Sequence, residues 1–241
     1  MLTAKGGRIM KEIRIFWAGD STVKQNFYNT YPQTGIGQVM NRYFKREVQV
    51  YNYAQNGRST KSFIEEGHLA LIDKELSEGD YFFIQFGHND SKPDEERRTE
   101  PDTTFKENLK KYIQVARKHN ATPVLITPAS RRHFNENGEF IPSHGEYPRA
   151  MREVAVEENV SLIDLNKKSE QLVSETGDEA SKKWYMIFDA GIYEKEAYCN
   201  GLLDNTHFQY EGAMVMGKLV AESLLELGGE YSELIEKEAL Q

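Results

Sequence analysis

Residues 13–22 have the sequence IRIFWAGDST, and this segment sets the expected fold. Residues 13–18 are mostly apolar and rich in β-branched and aromatic side chains, a composition that predicts a strand. Glycine, aspartate and serine follow directly, and these residue types favour a turn. The segment therefore predicts a buried strand that ends in a turn carrying Ser21.

Apolar runs of the same kind recur along the chain and alternate with patterns of helical period. Strands are predicted at residues 13–18, 48–53, 81–86, 124–127 and 160–165. Helices are predicted at residues 37–44, 60–76, 148–158 and 210–227, with a further helix that Asp102 or Thr103 caps. The alternation predicts parallel βαβ units with helices on both faces. The expected fold is α/β, a doubly wound, flavodoxin-like sheet of five parallel strands in the order 2-1-3-4-5.

Composition limits the classes of partner. The chain has 241 residues, 39% of them hydrophobic and 28% charged, which fits one globular α/β domain. Its net charge of −8 disfavours nucleic acid and anionic membranes as partners. The lone cysteine, Cys199, cannot form a disulfide within the chain and is interpreted as an inert thiol.

No apolar segment is long enough to cross a bilayer. The first 19 residues also lack the apolar run of a signal peptide. These two observations predict a cytoplasmic protein, and nothing in the sequence predicts its oligomeric state.

Four short segments lie where chemistry is expected. GDST (residues 19–22), NGRS (56–59) and GHND (87–90) follow the first three strands, and DNTH (204–207) precedes the last helix. In the order 2-1-3, the carboxyl ends of these strands are neighbours, and ligands of open α/β sheets bind at that edge. Ser21, Gly57 and Asn89 should therefore lie side by side.

These residue types fit an acyl-transfer site. Ser21 is a weak nucleophile until a base accepts its proton, and His207 is the expected base. Asp204 precedes His207 by three residues, which on one helical turn share a face, so Asp204 is expected to orient the imidazole. The backbone N–H groups of Ser21 and Gly57 and the side chain of Asn89 could stabilise an oxyanion.

Taken singly, each segment has a structural alternative: Ser21 as a helix cap, Gly57 as a turn residue and Asn89 as a loop-stabilising residue. Together and in this order, the four blocks resemble the SGNH (GDSL-like) hydrolases, a family named for its Ser, Gly, Asn and His, over about residues 13–227. The resemblance implies a single hydrolase domain over residues 1–241. It also implies a Ser-His-Asp acyl-enzyme mechanism that needs no cofactor.

A narrower resemblance concerns the substrate. GDST, NGRST and FGHND are similar to the rhamnogalacturonan acetylesterase branch. This resemblance implies removal of O-acetyl groups from pectin sugars, with a small carbohydrate ester as the substrate partner. The open alternatives are acetylated xylan, a lysophospholipid or a thioester as substrate, and a carbohydrate-binding protein of this fold without catalysis.

Other residues could contact a substrate. Arg131 and Arg132 follow strand four and Arg58 follows Gly57, so each could bind a uronate carboxylate or simply form a salt bridge. His133 and His144 lie in loops near the same edge. The aromatic segment of residues 182–201 could wall a sugar site or pack a long loop.

A metal site is the remaining alternative. Asp204 and His207 could combine with His88 and Asp90, but no metal-binding signature is present and no metal is expected. A structural hydrogen-bonding role is expected for His88, since Asp204 and His207 already supply an organised base.

Overall fold

The computed structural model describes residues 12–241 and confirms the predicted sheet. Its five parallel strands are β1 (Ile13–Gly19), β2 (Val48–Asn52), β3 (Tyr81–Gln85), β4 (Thr122–Ile126) and β5 (Ser161–Ile163). Their order is β2-β1-β3-β4-β5, with β1 hydrogen-bonded to both β2 and β3. The ends of β1, β2 and β3 are therefore neighbours, as the site prediction requires.

Helices cover both faces of this sheet. In chain order they are α1 (Ile36–Val39), α2 (Thr60–Glu65), α3 (His68–Glu75), α4 (Lys106–Lys118), α5 (Tyr147–Glu157), α6 (Leu165–Thr176), α7 (Asp178–Ser181), α8 (Tyr210–Leu227) and α9 (Gly229–Ser232). Short 3₁₀ turns occupy Tyr28–Thr30, Met40–Arg42, Lys182–Trp184 and Lys237–Leu240.

The side chains of each strand alternate between two cores. In β1, Ile15 and Trp17 join the core formed with α1, α6 and α8. Phe16 and Ala18 join the core formed with α2, α3, α4 and α5. A strand buried on both faces needs an almost continuous apolar sequence, which is why the runs were recognisable as strands.

The predicted helix over residues 60–76 is wrong in one respect, because it is divided into α2 and α3. Gly67, between them, has φ +82°, a left-handed conformation that ends a helix and that glycine adopts without a steric penalty. The apolar residues Phe63, Leu69 and Ile72 still lie buried in one core. The helical period of the apolar residues is therefore confirmed, whereas the break at Gly67 is not evident from that period.

The predicted cap at Asp102 or Thr103 is also wrong. Pro101–Phe105 forms a single π-helical turn before α4, and the Asp102 carboxylate instead accepts a hydrogen bond from Arg149 Nη2 at 2.7 Å. Of the predicted helix at residues 37–44, only residues 37–39 are α-helical, as part of α1, and the 3₁₀ turn Met40–Arg42 follows.

An antiparallel hairpin was not predicted. It consists of β6 (Tyr185–Phe188) and β7 (Leu202–Phe208), and it lies within and just after the aromatic segment. Helix α6 was not predicted either. Among residues 12–241, none of the helices combines the length and the apolar character that a bilayer crossing demands. The start of the chain, on which the signal-peptide prediction depends, includes residues 1–11 and so lies partly outside the described residues.

Candidate active site

Ser21 lies in a tight turn directly after β1. The Asp20 carboxylate is fully buried, and its Oδ1 accepts hydrogen bonds from the Thr22 amide at 2.9 Å and the Thr22 hydroxyl at 2.7 Å. The Asp20 carbonyl accepts from the amides of Val23 and Lys24. Asp20 therefore fixes the turn, and Ser21 projects from the carboxyl end of the sheet.

Ser21 and His207 are in direct contact. Ser21 Oγ lies 2.8 Å from His207 Nε2, and His207 Nδ1 lies 2.7 Å from Asp204 Oδ2. If Nδ1–H donates to the carboxylate, Nε2 is free to accept the serine proton. The three side chains thus form a continuous hydrogen-bonded series in the geometry that general-base activation of a serine requires.

Asp204 and His207 do not share a helical turn, so that part of the prediction is wrong. Both lie on β7, where Tyr185 pairs with Phe208 but Met186 pairs with Asp204, leaving residues 205–207 as a bulge. In a regular strand, residues three apart face opposite sides. The bulge removes that alternation. Asp204 Oδ1 stabilises the bend by accepting from the Thr206 and His207 amides at 2.8 and 3.1 Å.

The environment of Asp204 keeps it ionised. Burial alone would raise its pKa, but hydrogen bonding and charge from His207, together with the two backbone amides, hold the pKa of this carboxyl below its usual range. An ionised carboxylate is the form that accepts the Nδ1 proton and stabilises an imidazolium.

Arg132 anchors the bulge, which corrects its predicted role in substrate binding. Its guanidinium is buried, and it donates to Asn205 Oδ1 at 2.8 Å, to the Asp178 carbonyl at 2.9 Å and to the Asp178 carboxylate. The backbone amide of Arg132 also donates to the Asn205 carbonyl at 2.8 Å. Arg132 is committed to these partners and does not line the cleft around Ser21.

Gly57 and Asn89 lie beside Ser21 along the same cleft. Gly57 has φ +73°, so its backbone adopts a conformation that other residues rarely accept. Asn89 Nδ2 donates to the Arg58 carbonyl at 3.2 Å, and Asn89 Oδ1 accepts from Arg97 Nη1 at 3.4 Å. These two contacts fix the orientation of the amide and leave the second Nδ2 hydrogen for a ligand.

Asp90 joins the loops that carry Gly57 and Asn89. Its Oδ1 accepts from the Thr60 amide at 3.0 Å, the Thr60 hydroxyl at 2.6 Å and the Thr99 hydroxyl at 3.1 Å. Complete burial raises the pKa of Asp90 to about 7 despite these hydrogen bonds. In the sequence, Asp90 stands out only as a possible metal ligand. Its position directly after Asn89 is the signal that could have indicated hydrogen bonds between neighbouring loops.

His88 forms hydrogen bonds within the protein, as expected for a structural residue. Its Nδ1 lies 3.1 Å from Nε2 of His144, and Arg131 donates to its carbonyl at 2.9 Å. Burial, followed by the charge of Arg131, lowers the pKa of His144 to about 3; burial also lowers the pKa of His88 well below its usual value. His144 is buried behind His88 and does not line the cleft, and His133 is exposed outside it.

Arg58 is not among the residues that line the cleft around Ser21. It forms an ion pair with Glu66 at 2.7 Å and lines a neighbouring groove that shares Gly57 and Arg97 with the cleft. Its predicted contact with substrate stays a prediction, and the ion pair is the alternative that the sequence left open. Only Arg131 of the three candidate arginines lines the cleft, and two of its nitrogens donate to the carbonyls of Ser143 and His88.

The cleft has a volume of about 510 Å³, within the range of small-molecule sites. Its lining is almost entirely polar: Ser21, Gln33, Asn56, Gly57, His88, Asn89, Lys92, Arg97, Arg131, Asp204, Thr206 and His207. Among these described residues three are cationic, whereas Asp204 is the one carboxylate. The cleft is thus locally positive in a chain of net charge −8.

The model of the GDSL-like lipase/acylhydrolase family matches residues 18–213. The chain belongs to this family. Two Bacillus subtilis (strain 168) proteins are similar to this GDSL-like hydrolase, each at 44% identity: rhamnogalacturonan acetylesterase RhgT, over 90% of the chain and 92% of the relative, and probable rhamnogalacturonan acetylesterase YesY, over 93% and 98%.

A solved structure shares the fold of this GDSL-like hydrolase. The crystal structure of Bacillus subtilis YxiM superposes with a TM-score of 0.76 at 29% identity, covering 91% of this chain and 58% of that one. The predicted family and fold are thereby confirmed.

Proposed function

We propose that this GDSL-like hydrolase is a serine esterase that removes O-acetyl groups from rhamnogalacturonan oligosaccharides. The observation that carries the chemistry is the series of contacts from Ser21 through His207 to Asp204, at 2.8 and 2.7 Å. The similarity to RhgT, at 44% identity over most of both chains, supports the substrate. The proposal treats residues 1–241 as one hydrolase domain.

In the proposed mechanism, Ser21 Oγ attacks the acetyl carbonyl while its proton passes to His207 Nε2. The resulting imidazolium is stabilised by Asp204, and the oxyanion accepts hydrogen bonds from the N–H groups of Ser21 and Gly57 and from Asn89 Nδ2. His207 then donates the proton to the departing sugar oxygen, which leaves an acetyl ester on Ser21.

Water completes the cycle. His207 accepts a proton from the water that attacks the acetyl-enzyme. The tetrahedral intermediate then collapses to acetate as His207 Nε2 returns the proton to Ser21 Oγ. None of these steps requires a cofactor or a metal ion.

The lining of the cleft supports a short acyl group on a polar, anionic carrier. A long acyl chain needs an extended apolar wall, whereas the residues around Ser21 are polar. Arg97 is ion-paired with Asp94, but Lys92 and Arg131 supply positive charge, which favours a sugar chain that carries uronate carboxylates. Within residues 12–241, neither Lys92 nor Arg131 forms an ion pair with a carboxylate, so both charges are available to a ligand.

The decisive test compares wild type with Ser21→Ala. Wild type should release acetate from acetylated rhamnogalacturonan oligosaccharides and react with a fluorophosphonate at Ser21. In the variant, turnover should fall by a factor of about 10⁴–10⁶ and labelling should disappear. Ser174→Ala, on an exposed turn of α6, is the matched control and should behave as wild type. Near-wild-type acetate release by Ser21→Ala would rule out the mechanism.

Substrate choice is tested separately with acetylated pectin, xylan and mannan oligosaccharides and with octanoyl esters. A clear preference for xylan or for octanoyl esters would reject the proposed substrate while leaving the serine chemistry intact. Binding of the saccharides without any labelling of Ser21 would instead indicate a non-catalytic binding protein.

A further inference from the structure

An exposed aromatic groove lies outside the catalytic cleft. It has a volume of about 440 Å³ and is lined by Tyr28, Tyr31, Ile192, Tyr193, Glu194 and Lys195. Tyr28 is 94% exposed, Ile192 is 63% exposed and Tyr31 is 57% exposed. Clustered apolar side chains of this size facing water commonly mark a ligand-binding surface.

The two walls of the groove are held together by direct contacts. One wall contains Tyr28, in the 3₁₀ turn Tyr28–Thr30, and Tyr31, which follows that turn. The other wall is part of the connection between β6 and β7. Lys195 Nζ donates to the Asn29 carbonyl, and the Tyr31 and Tyr193 rings meet edge to face with centroids 5.9 Å apart. These contacts hold the two walls together and fix the rings of Tyr31 and Tyr193 against each other.

The chain segment that forms one wall of the groove leads into the catalytic cleft. On one wall, Gln33, two residues after Tyr31, lines the cleft itself. The Thr34 amide donates to the Phe208 carbonyl at 2.9 Å, which ties this wall to the residue after His207.

The other wall is hydrogen-bonded to the segment just after His207. Tyr193 Oη donates to Gln209 Oε1 at 3.1 Å. The Tyr193 ring lies 6.5 Å from that of Tyr198. The Tyr198 ring lies 5.7 Å from that of Phe188 in β6, so an aromatic series extends from the groove to the hairpin that carries the catalytic carboxylate.

We propose that the groove is a second saccharide subsite, which binds non-reacting rings of the sugar chain whose acetyl group reaches Ser21. This inference rests on the proposed function. A pyranose ring has an apolar face of C–H groups and a rim of hydroxyls. The aromatic rings of Tyr28 and Tyr31 can pack against the apolar face, and the polar groups of Glu194 and Lys195 can hydrogen-bond to the hydroxyls.

The subsite predicts a dependence on chain length. On this proposal, a disaccharide held at Ser21 leaves the groove empty, whereas an octasaccharide reaches both the cleft and the groove. Tyrosine suits such a site because it offers a large rigid surface with little conformational entropy to lose on binding.

Binding is measured first, without turnover. In a Ser21→Ala background, isothermal titration with deacetylated rhamnogalacturonan octasaccharide should show the Kd rising about 5–10-fold on Tyr28→Ala or Tyr31→Ala. The disaccharide should bind all variants equally. Tyr210→Ala, at a tyrosine that is 54% exposed outside the groove, is the matched control and should change nothing. An unchanged Kd for the octasaccharide in both groove variants would overturn the subsite.

Kinetics on otherwise wild-type protein supply the second readout. With acetylated octasaccharide, kcat/KM should fall about 5–10-fold through KM, while hydrolysis of 4-nitrophenyl acetate stays unchanged. An equal loss on both substrates would mean that the substitutions disturb the catalytic centre, and it would also overturn the subsite. Tyr28 makes a clean test because its side chain, almost fully exposed, contributes little to folding.

The two proposals fail in different ways. If wild type releases no acetate from any acetylated saccharide, the proposed function is wrong, yet the titration with deacetylated chains still decides the groove. If acetate is released but chain length and the tyrosines have no effect, only the subsite is wrong.

Discussion

Replacing Asp204 with asparagine should reduce turnover more than its small change in shape suggests. Asp204 Oδ1 accepts from two backbone amides, those of Thr206 and His207. Within residues 12–241, Oδ2 accepts only from His207 Nδ1. An asparagine has one oxygen for these two tasks. At about 1 kcal/mol each, two hydrogen bonds from backbone amides stabilise more than one hydrogen bond from the imidazole. The asparagine oxygen will therefore face the backbone.

The amide nitrogen then faces His207 Nδ1 and donates to it. That contact selects the tautomer with the proton on Nε2, which cannot accept the proton of Ser21. Wrong-tautomer substitutions of this kind cost about 10⁴ in kcat. At about 1.36 kcal/mol per decade, this loss equals roughly 5 kcal/mol of transition-state stabilisation.

The assay is the initial rate on saturating 4-nitrophenyl acetate at pH 7, with ¹⁵N NMR of His207 to identify the tautomer. Asp204→Ala is the companion variant, because it removes the carboxylate without imposing the wrong tautomer. Asp204→Asn should therefore be at least as slow as Asp204→Ala. If the asparagine variant kept more than a tenth of wild-type turnover, the assigned role of this carboxylate would be refuted.

Three further predictions follow from contacts around the cleft. Asn89→Ala should lower kcat by about 10²–10³ through loss of one oxyanion donor, and an unchanged rate on 4-nitrophenyl acetate would remove it from the site. Arg132→Met should release the bulge at Asn205 and lower kcat by about 10–100-fold, because positioning errors near the reacting atoms are costly. KM should change little. A variant that loses thermal stability but keeps full kcat would contradict this prediction. Asp90 should make wild type lose stability as the pH rises. Its pKa is about 7 in the folded protein against 3.8 ordinarily, so the native state binds a proton that the unfolded chain has lost. In urea titrations, the free energy of unfolding of wild type minus that of Asp90→Asn should therefore fall by about 1 kcal/mol per pH unit between pH 4 and 7. A constant difference would refute the assignment.

Much of the fold could be predicted because its strands are buried on both faces. All five residues of β3 are buried, and a strand in that position must be apolar along its length. Once the strand order is 2-1-3, Ser21, Gly57 and Asn89 are brought together by topology rather than by local sequence. The site prediction therefore needed few details of side-chain packing.

The details that sequence could not supply depend on contacts between distant residues. Arg132 and Asn205 are 73 positions apart, and nothing local distinguishes Arg132, which anchors the bulge, from Arg131, which lines the cleft. The spacing of Asp204 and His207 was read as a helical turn, because a helix follows at Tyr210 and a bulged strand leaves no clear periodic signal.

The contact between Ser21 and His207 joins residues 186 positions apart, and this has a consequence for synthesis. A nascent chain presents its nucleophile early but acquires the matching base only when β7 has left the ribosome. On the proposed mechanism, a prematurely terminated chain is inert toward esters even if its parallel sheet has assembled. Hydrolytic competence therefore appears only after β7 has been synthesised, and it reports that the hairpin of β6 and β7 has docked.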